Sequence, residues 1–165
     1  MSFSREWTAN EGHIQAVCGD DPAERAVFLR KAAKDGHVPA MYTLGLLSED
    51  PHERRYWLRE AAHEGYVPAM YAFGLDCAKP VQRRAWLRKA AEEGHLGAMY
   101  ALGSESADPD ERRRWLKMAA EEGHIAAMHD LGLLSQDPNE RKRWLREAAR
   151  NGWQPALVEL SDPVY

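Results

Sequence analysis

The stretch Trp86-Leu87-Arg88-Lys89-Ala90-Ala91-Glu92-Glu93-Gly94-His95-Leu96-Gly97-Ala98-Met99-Tyr100-Ala101-Leu102-Gly103 decides the architecture, because its pattern returns 29 residues later from Trp115 to Gly132. Trp57-Leu58 and Trp144-Leu145 mark the same period on either side, and Phe28-Leu29 stands one step further upstream. Paired alanines keep step at Ala32-Ala33, Ala61-Ala62, Ala90-Ala91, Ala119-Ala120 and Ala148-Ala149. So do Gly36, Gly65, Gly94, Gly123 and Gly152, and then Ala40, Ala69, Ala98, Ala127 and Ala156. Five units follow one another without an insertion or deletion. Such a period signals stacked supersecondary units, none of which can bury its apolar face alone.

Each unit reads as two helices. Asp21-Pro22, Asp50-Pro51, Asp108-Pro109 and Asp137-Pro138 set an N-cap acceptor before a proline at the first helical position, while Ala78-Lys79-Pro80 keeps only the proline. From Pro51 to Glu64, residues Tyr56, Trp57, Leu58, Ala61 and Ala62 form one apolar stripe at helical spacing. Gly65 supplies a left-handed C-cap. Pro68 then opens a short second helix through Ala69, Met70, Phe73 and Gly74. No segment sustains period-two alternation, so no sheet is expected. The reading is an all-α chain, an α-solenoid of stacked helical hairpins. Ala61, Ala62, Ala69 and Gly74 let helices approach closely, and the tryptophan column, Trp86 included, is expected to fill the space between layers. Stability comes from nearest-neighbour stacking. Residues 1–20 read as an N-terminal capping half-repeat, since Ala9, Gly12, His13 and Ala16 match Ala33, Gly36, His37 and Ala40. Residues 21–161 hold the five repeats. Residues 162–165 form a C-terminal tail, in which Asp162-Pro163 stops the last helix.

Composition narrows the function. The 165 residues are 44% apolar and 29% charged, enough for a core and too ordered a mixture for disorder. A net charge of −4 from 26 acidic and 22 basic residues lacks the basic excess of a nucleic-acid binder. Two cysteines, Cys18 and Cys77, make no disulfide framework and point to a reducing compartment, so a cytoplasmic location is expected. The segment from Met1 to Gln15 carries Arg5, Glu6 and Glu11 without an apolar run, so neither a signal peptide nor a membrane span is expected there. No stretch approaches the length of a transmembrane helix.

The run Ala90-Ala91-Glu92-Glu93-Gly94-His95 with Ala98-Met99-Tyr100-Ala101-Leu102-Gly103 resembles the Sel1-like repeat family. Ala119-Ala120-Glu121-Glu122-Gly123-His124, with Ala127 and Leu131-Gly132, repeats the match, and the resemblance runs from about Asp21 to Ser161. It implies hairpins stacked as in tetratricopeptide repeats, in a right-handed superhelix, and a scaffolding or adaptor role. The family's longer unit continues past Leu-Gly with a tyrosine and a glycine-rich loop. Here Gly45 is followed only by Leu46-Leu47-Ser48-Glu49 before Asp50, so a short second helix and a tight connection are expected. The cysteines that bridge helices in secreted members have no counterpart, because Cys18 and Cys77 fall at different phases.

The candidate site follows from helical phase. At about 100° per residue, Ala40, Leu44 and Leu47 define the buried side of the second helix, and Tyr42 falls opposite with Leu46 one turn on. By resemblance to tetratricopeptide proteins, these two positions face the concave groove. The first column reads Tyr42, Tyr71, Tyr100, His129, Val158; the second reads Leu46, Leu75, Ser104, Leu133, Asp162. A partner-binding groove is therefore assigned to Tyr42, Leu46, Tyr71, Leu75, Tyr100, Ser104, His129 and Leu133, since contiguous exposed apolar surface marks interaction sites and tyrosine suits them. The competing reading has the tyrosines lean on neighbouring repeats and close the groove.

Arginines form a second pattern. Arg25, Arg54, Arg83, Arg112 and Arg141 share one phase; Arg55, Arg84, Arg113 and Lys142 the next; Arg30, Arg59, Arg88, Lys117 and Arg146 a turn later. Glu53, Glu111 and Glu140 precede them, so a solvated face of mixed pairs is the expectation. His37, His95 and His124 recur after the C-cap glycine, where packing is expected. Met41, Met70, Met99 and Met128 are expected between repeats. No nucleophile elbow, phosphate-cradling loop or metal-ligand spacing occurs, so neither catalysis, cofactor nor metal is expected. The function expected is a non-catalytic interaction module that holds a peptide or partner helix in its groove, with no nucleic acid and no membrane. The alternatives are a homo-oligomer through the same face and, further off, an enzyme-associated regulatory factor.

Overall fold

The computed structural model describes residues 22–161, so the half-repeat at 1–20, Cys18, the Asp21 cap and the tail lie outside the described residues. Those described residues are helical throughout their regular structure, with no strand among them. Five first helices each begin on a proline: α1 (Pro22–Lys34), α3 (Pro51–His63), α5 (Pro80–Glu92), α7 (Pro109–Glu121) and α9 (Pro138–Arg150). The second helices are α2 (Val38–Leu47), α4 (Val67–Asp76), α6 (Leu96–Glu105), α8 (Ile125–Leu134) and α10 (Gln154–Ser161). Two compact units result, one ending at Asp76 with α1–α4 and one starting at Cys77 with α5–α10. Within each unit every helix packs on the next in sequence.

The punctuation lies where the sequence puts it. Asp50, Asp108 and Asp137 accept hydrogen bonds from the backbone N–H of His52, Asp110 and Asn139, each at 3.0 Å. Lys79 offers no side-chain cap. Gly65 closes α3 at φ +86°, a left-handed angle that costs other residues energy. There the Tyr66 N–H donates to the Ala61 carbonyl and the Gly65 N–H to that of Ala62, the double bond of a Schellman cap. The connections after α2, α6 and α8 are only three residues long, as the shortened repeat requires.

Histidine has a sharper role than packing. His37, His95 and His124 are the N-caps of α2, α6 and α8. Each Nδ1 accepts the N–H of Ala40, Ala98 or Ala127 at 3.1–3.2 Å. Burial pushes His95 and His124 below the usual imidazole pKa, so the neutral, accepting ring is favoured.

The interior is built by Leu29, Leu58, Leu87, Leu116 and Leu145, at most 2% exposed. Opposite three of them lies a Leu-Gly glycine. A Cβ on Gly103 would stand 2.8 Å from Leu116 Cγ, and one on Gly45 2.8 Å from Leu58 Cγ. The tryptophan column is less uniform than expected. Trp115 and Trp144 are buried, but Trp57 and Trp86 are only half-buried. The neighbouring leucine takes the interior place; Trp57 packs on the Leu29–Leu44 cluster from its margin, and the Lys89 ammonium sits 4.4 Å from the Trp86 ring centre. Met99 and Met128 are buried, Met41 and Met70 half-buried.

Candidate protein-interaction surface

The first column does not stand free of its neighbours. Tyr42 is half-buried, its ring 5.2 Å from that of Tyr66 in the next repeat. Tyr100 stacks on the capping His124 at 4.5 Å and 19°, and His129 lies 6.0 Å from Trp153. Tyr71 is half-buried as well. In these three pairs the residue two after the Ala of one second helix meets the residue at the interhelix turn of the next repeat. The rings of Tyr42, Tyr100 and His129 therefore tie adjacent repeats together, as the leaning reading has it, rather than projecting wholly from the surface.

The second column is exposed. Leu46, Leu75 and Leu133 keep 52%, 40% and 44% of their surface, and Ser104 is exposed as well, its hydroxyl donating to the Tyr100 carbonyl. Leu47, expected on the buried side with Ala40 and Leu44, is instead 57% exposed as the last residue of α2, and Leu134 at the same register is exposed too. Val158 of the first column is 71% exposed, and Asp162 lies outside the described residues.

In the second unit these groups border a cavity of about 320 Å³, with Tyr100, Ser104, Asp130, Leu133 and Leu134 around it and Leu116 at its base. Arg112 also lines it, but its guanidinium is held by the Ser106 carbonyl at 2.8 and 3.1 Å. The Tyr100 hydroxyl donates to Asp130 Oδ2 at 3.1 Å, and His129 Nδ1 lies 3.2 Å from Oδ1. Burial, and after it the Asp130 charge, raise the Tyr100 pKa, which keeps the phenol protonated and donating. Asp130 was not singled out from the sequence because its equivalents in the first three repeats are Thr43, Ala72 and Ala101; the change to an acidic residue at Asp130 and Glu159 was the available signal.

Many of the arginines are occupied internally. Arg54, Arg112 and Arg141 donate to the carbonyls of Ser48, Ser106 and Ser135, which end the preceding second helices. Arg55 and Arg113 reach forward to the carbonyls of Asp76 and Leu134. These charged donors satisfy C-terminal carbonyls that a helix leaves open. Arg30 pairs with Glu53 at 3.2 Å, and both Arg84 and Arg88 pair with Glu111. The Arg84 and Ser106 hydrogen bonds hold Glu111 down to about 2. Sequence reasoning found the mixed pairs but missed the serines: Ser48, Ser106 and Ser135 are buried, with Cys77 at their phase.

Among the described residues no group of three His, Cys, Asp or Glu is placed to hold a metal, and no helix is long and apolar enough to cross a membrane.

Comparison with solved structures settles the architecture. A protective antigen of uropathogenic Escherichia coli, described as displaying an SLR fold, superposes with a TM-score of 0.74 over 85% of this chain at 24% identity. A Sel1 repeat protein from Oxalobacter formigenes superposes at 0.71 over 81%, also at 24% identity. This chain has the Sel1-like repeat fold. An immunity protein from Pseudomonas aeruginosa is similar at a TM-score of 0.59 and 18% identity, over 96% of this chain and 70% of that one. The chain spans 36% of the E. coli antigen and 64% of the O. formigenes protein. No family model and no curated protein matches the sequence. The Sel1-like helical hairpin is retained here although the loop beyond Leu-Gly is gone.

Proposed function

We propose that this Sel1-like protein is a non-catalytic interaction module that binds a partner polypeptide on the exposed face of its second helices. The observation that carries the reading is Leu133 and Leu134, 44% and 37% exposed beside the Tyr100–Asp130 cavity. Adjacent apolar side chains left in water on ordered helices mark a surface to be covered. The rigid Tyr100 ring, already locked by His124, can contribute contact area with little further loss of side-chain freedom. The arginine ridge is the poorer candidate, because its guanidiniums cap helices and pair with glutamates. Likeness to Sel1 repeat proteins supports an interaction role at the level of the fold.

A homo-oligomer through the same face is the weaker reading. A two-fold contact would bring together two copies of helices that carry Asp130 and Glu159 and no lysine or arginine. The test compares wild type, Leu133→Ser/Leu134→Ser and Arg84→Ala in quantitative affinity capture from the source cell, beside light scattering over a concentration series. The leucine variant is expected to lose the partners that wild type and Arg84→Ala retain, with all three scattering as monomers. Capture lost only with Arg84→Ala moves the site to the ridge, and concentration-dependent mass abolished by the leucine variant establishes self-association instead.

A further inference from the structure

The chain segregates its charge by helix. None of its 22 lysines and arginines falls within the second helices 38–47, 67–76, 96–105, 125–134 or 154–161. Yet these helices carry Asp76, Glu105, Asp130 and Glu159. Asp76 and Glu105 are paired to Arg55 and Arg83 of the first helices. Asp130 differs. Its hydrogen-bond partners are the neutral Tyr100 phenol and the His129 ring, its side chain is 36% exposed, and it borders the cavity whose rim is Leu133 and Leu134. A carboxylate held in place by a phenol keeps its negative charge and its remaining acceptor positions for an incoming donor.

From this we infer that the partner of the second unit is a cationic amphipathic segment, whose apolar side chains cover Leu133 and Leu134 while a lysine or arginine reaches Asp130. The inference rests on the interaction reading above and adds the charge and anchor of the ligand. Complementarity argues for it in both directions. An anionic segment would meet Asp130 and Glu159 on helices without a lysine or arginine. A purely apolar one would bury the Asp130 carboxylate while Arg112 of the cavity wall is engaged by the Ser106 carbonyl rather than by Asp130, which is costly. The cation also gives orientation, because Asp130 sits to one side of the leucine pair in sequence, one helical turn before it.

The experiment is an NMR titration of the isotope-labelled full chain with three synthetic helix-forming peptides. All share leucines at i, i+3, i+4 and i+7; their flanking positions carry lysine, glutamine or glutamate. The lysine peptide is expected to shift the amides of Ser104, Asp130, Leu133 and Leu134, and to bind at least about tenfold more tightly than the glutamate peptide. Its affinity should fall as salt rises from about 50 to about 500 mM. Asp130→Asn, which keeps the Tyr100 acceptor, should lower lysine-peptide affinity about tenfold while leaving glutamine-peptide affinity unchanged. Equal binding of all three peptides at Leu133 and Leu134, or no effect of Asp130→Asn, overturns the cationic anchor and leaves the interaction reading standing. Shifts confined to other helices, or none with any peptide, overturn both. The peptide series and salt dependence use the wild-type chain, so they decide the matter even if the variant is unstable.

Discussion

Gly103→Ala is the substitution that most sharply separates this packing from a generic helical stack. In an exposed helix the change gains about 1 kcal/mol of propensity. Here the added Cβ lands 2.8 Å from Leu116 Cγ, 2.9 Å from Cδ2 and 3.1 Å from the Leu116 backbone nitrogen. Leu116 is 1% exposed and Gly103 is buried, and the Leu116 backbone nitrogen, unlike a flexible side-chain end, can give way only if the helix shifts. Overpacking of this kind costs about 1–3 kcal/mol, and after the propensity gain a net loss of up to about 2 kcal/mol is expected. Urea denaturation followed by far-UV circular dichroism reads it directly. Leu116→Ala alone should cost about 2–5 kcal/mol. In the double variant the clashing Cγ and Cδ2 are gone, so the combined loss should fall short of the sum by about 0.5 kcal/mol or more. A stabilising Gly103→Ala, or strict additivity in the cycle, would refute the close approach of α6 and α7.

Acid should weaken the chain through its histidine caps. His95 and His124 titrate below the usual imidazole value when folded, so their contribution is complete above the unfolded pKa of 6.5 and is lost as pH falls from there toward the folded values. Thermal melts between about pH 7.5 and 5 should show this decline, and His95→Asn/His124→Asn, which keeps an acceptor at both caps, should flatten it. Arg112→Ala strips the donor from the carbonyl of Ser106, itself 1% exposed, and should cost about 1–3 kcal/mol in urea melts. Arg113→Ala, on the exposed side, should stay under about 1 kcal/mol. Trp115→Ala should lose about 3–5 kcal/mol because the indole is 3% exposed. Half-buried Trp86→Ala should lose distinctly less, and equal losses would contradict the two environments.

The repeat made the fold legible. Asp-Pro, Gly65 and the Ala pairs each carry a local instruction, and repetition over five registers removes the ambiguity that one copy would leave. Leu-Gly was legible as a motif, but its reason, contact with Leu116 or Leu58 in the following repeat, is tertiary and appears only in three dimensions. The same holds for the histidines. A Gly-His pair announces a turn, whereas acceptance of the Ala98 N–H by His95 depends on the ring's rotamer. Of the candidate groove, phase correctly set Leu46, Leu75, Ser104 and Leu133 on the open side. It could not tell that Tyr42 and Tyr100 lean on Tyr66 and His124, because a helical wheel has no neighbouring repeat in it. Of the arginine columns the mixed pairs were legible, but the carbonyls that also take them, such as Ser106 for Arg112 and Leu134 for Arg113, were not. Asp130 escaped a search that rewarded recurrence, since it breaks the pattern.

Hydrogen exchange of the full chain, free and saturated with the polypeptide it captures in its own cell, tests the central claim most directly. The account predicts added protection in 96–105 and 125–134, the helices that carry Tyr100, Asp130, Leu133 and Leu134, with 109–121 and 138–150 unchanged. Protection concentrated in those first helices, with the second helices exchanging as in the free chain, would contradict it.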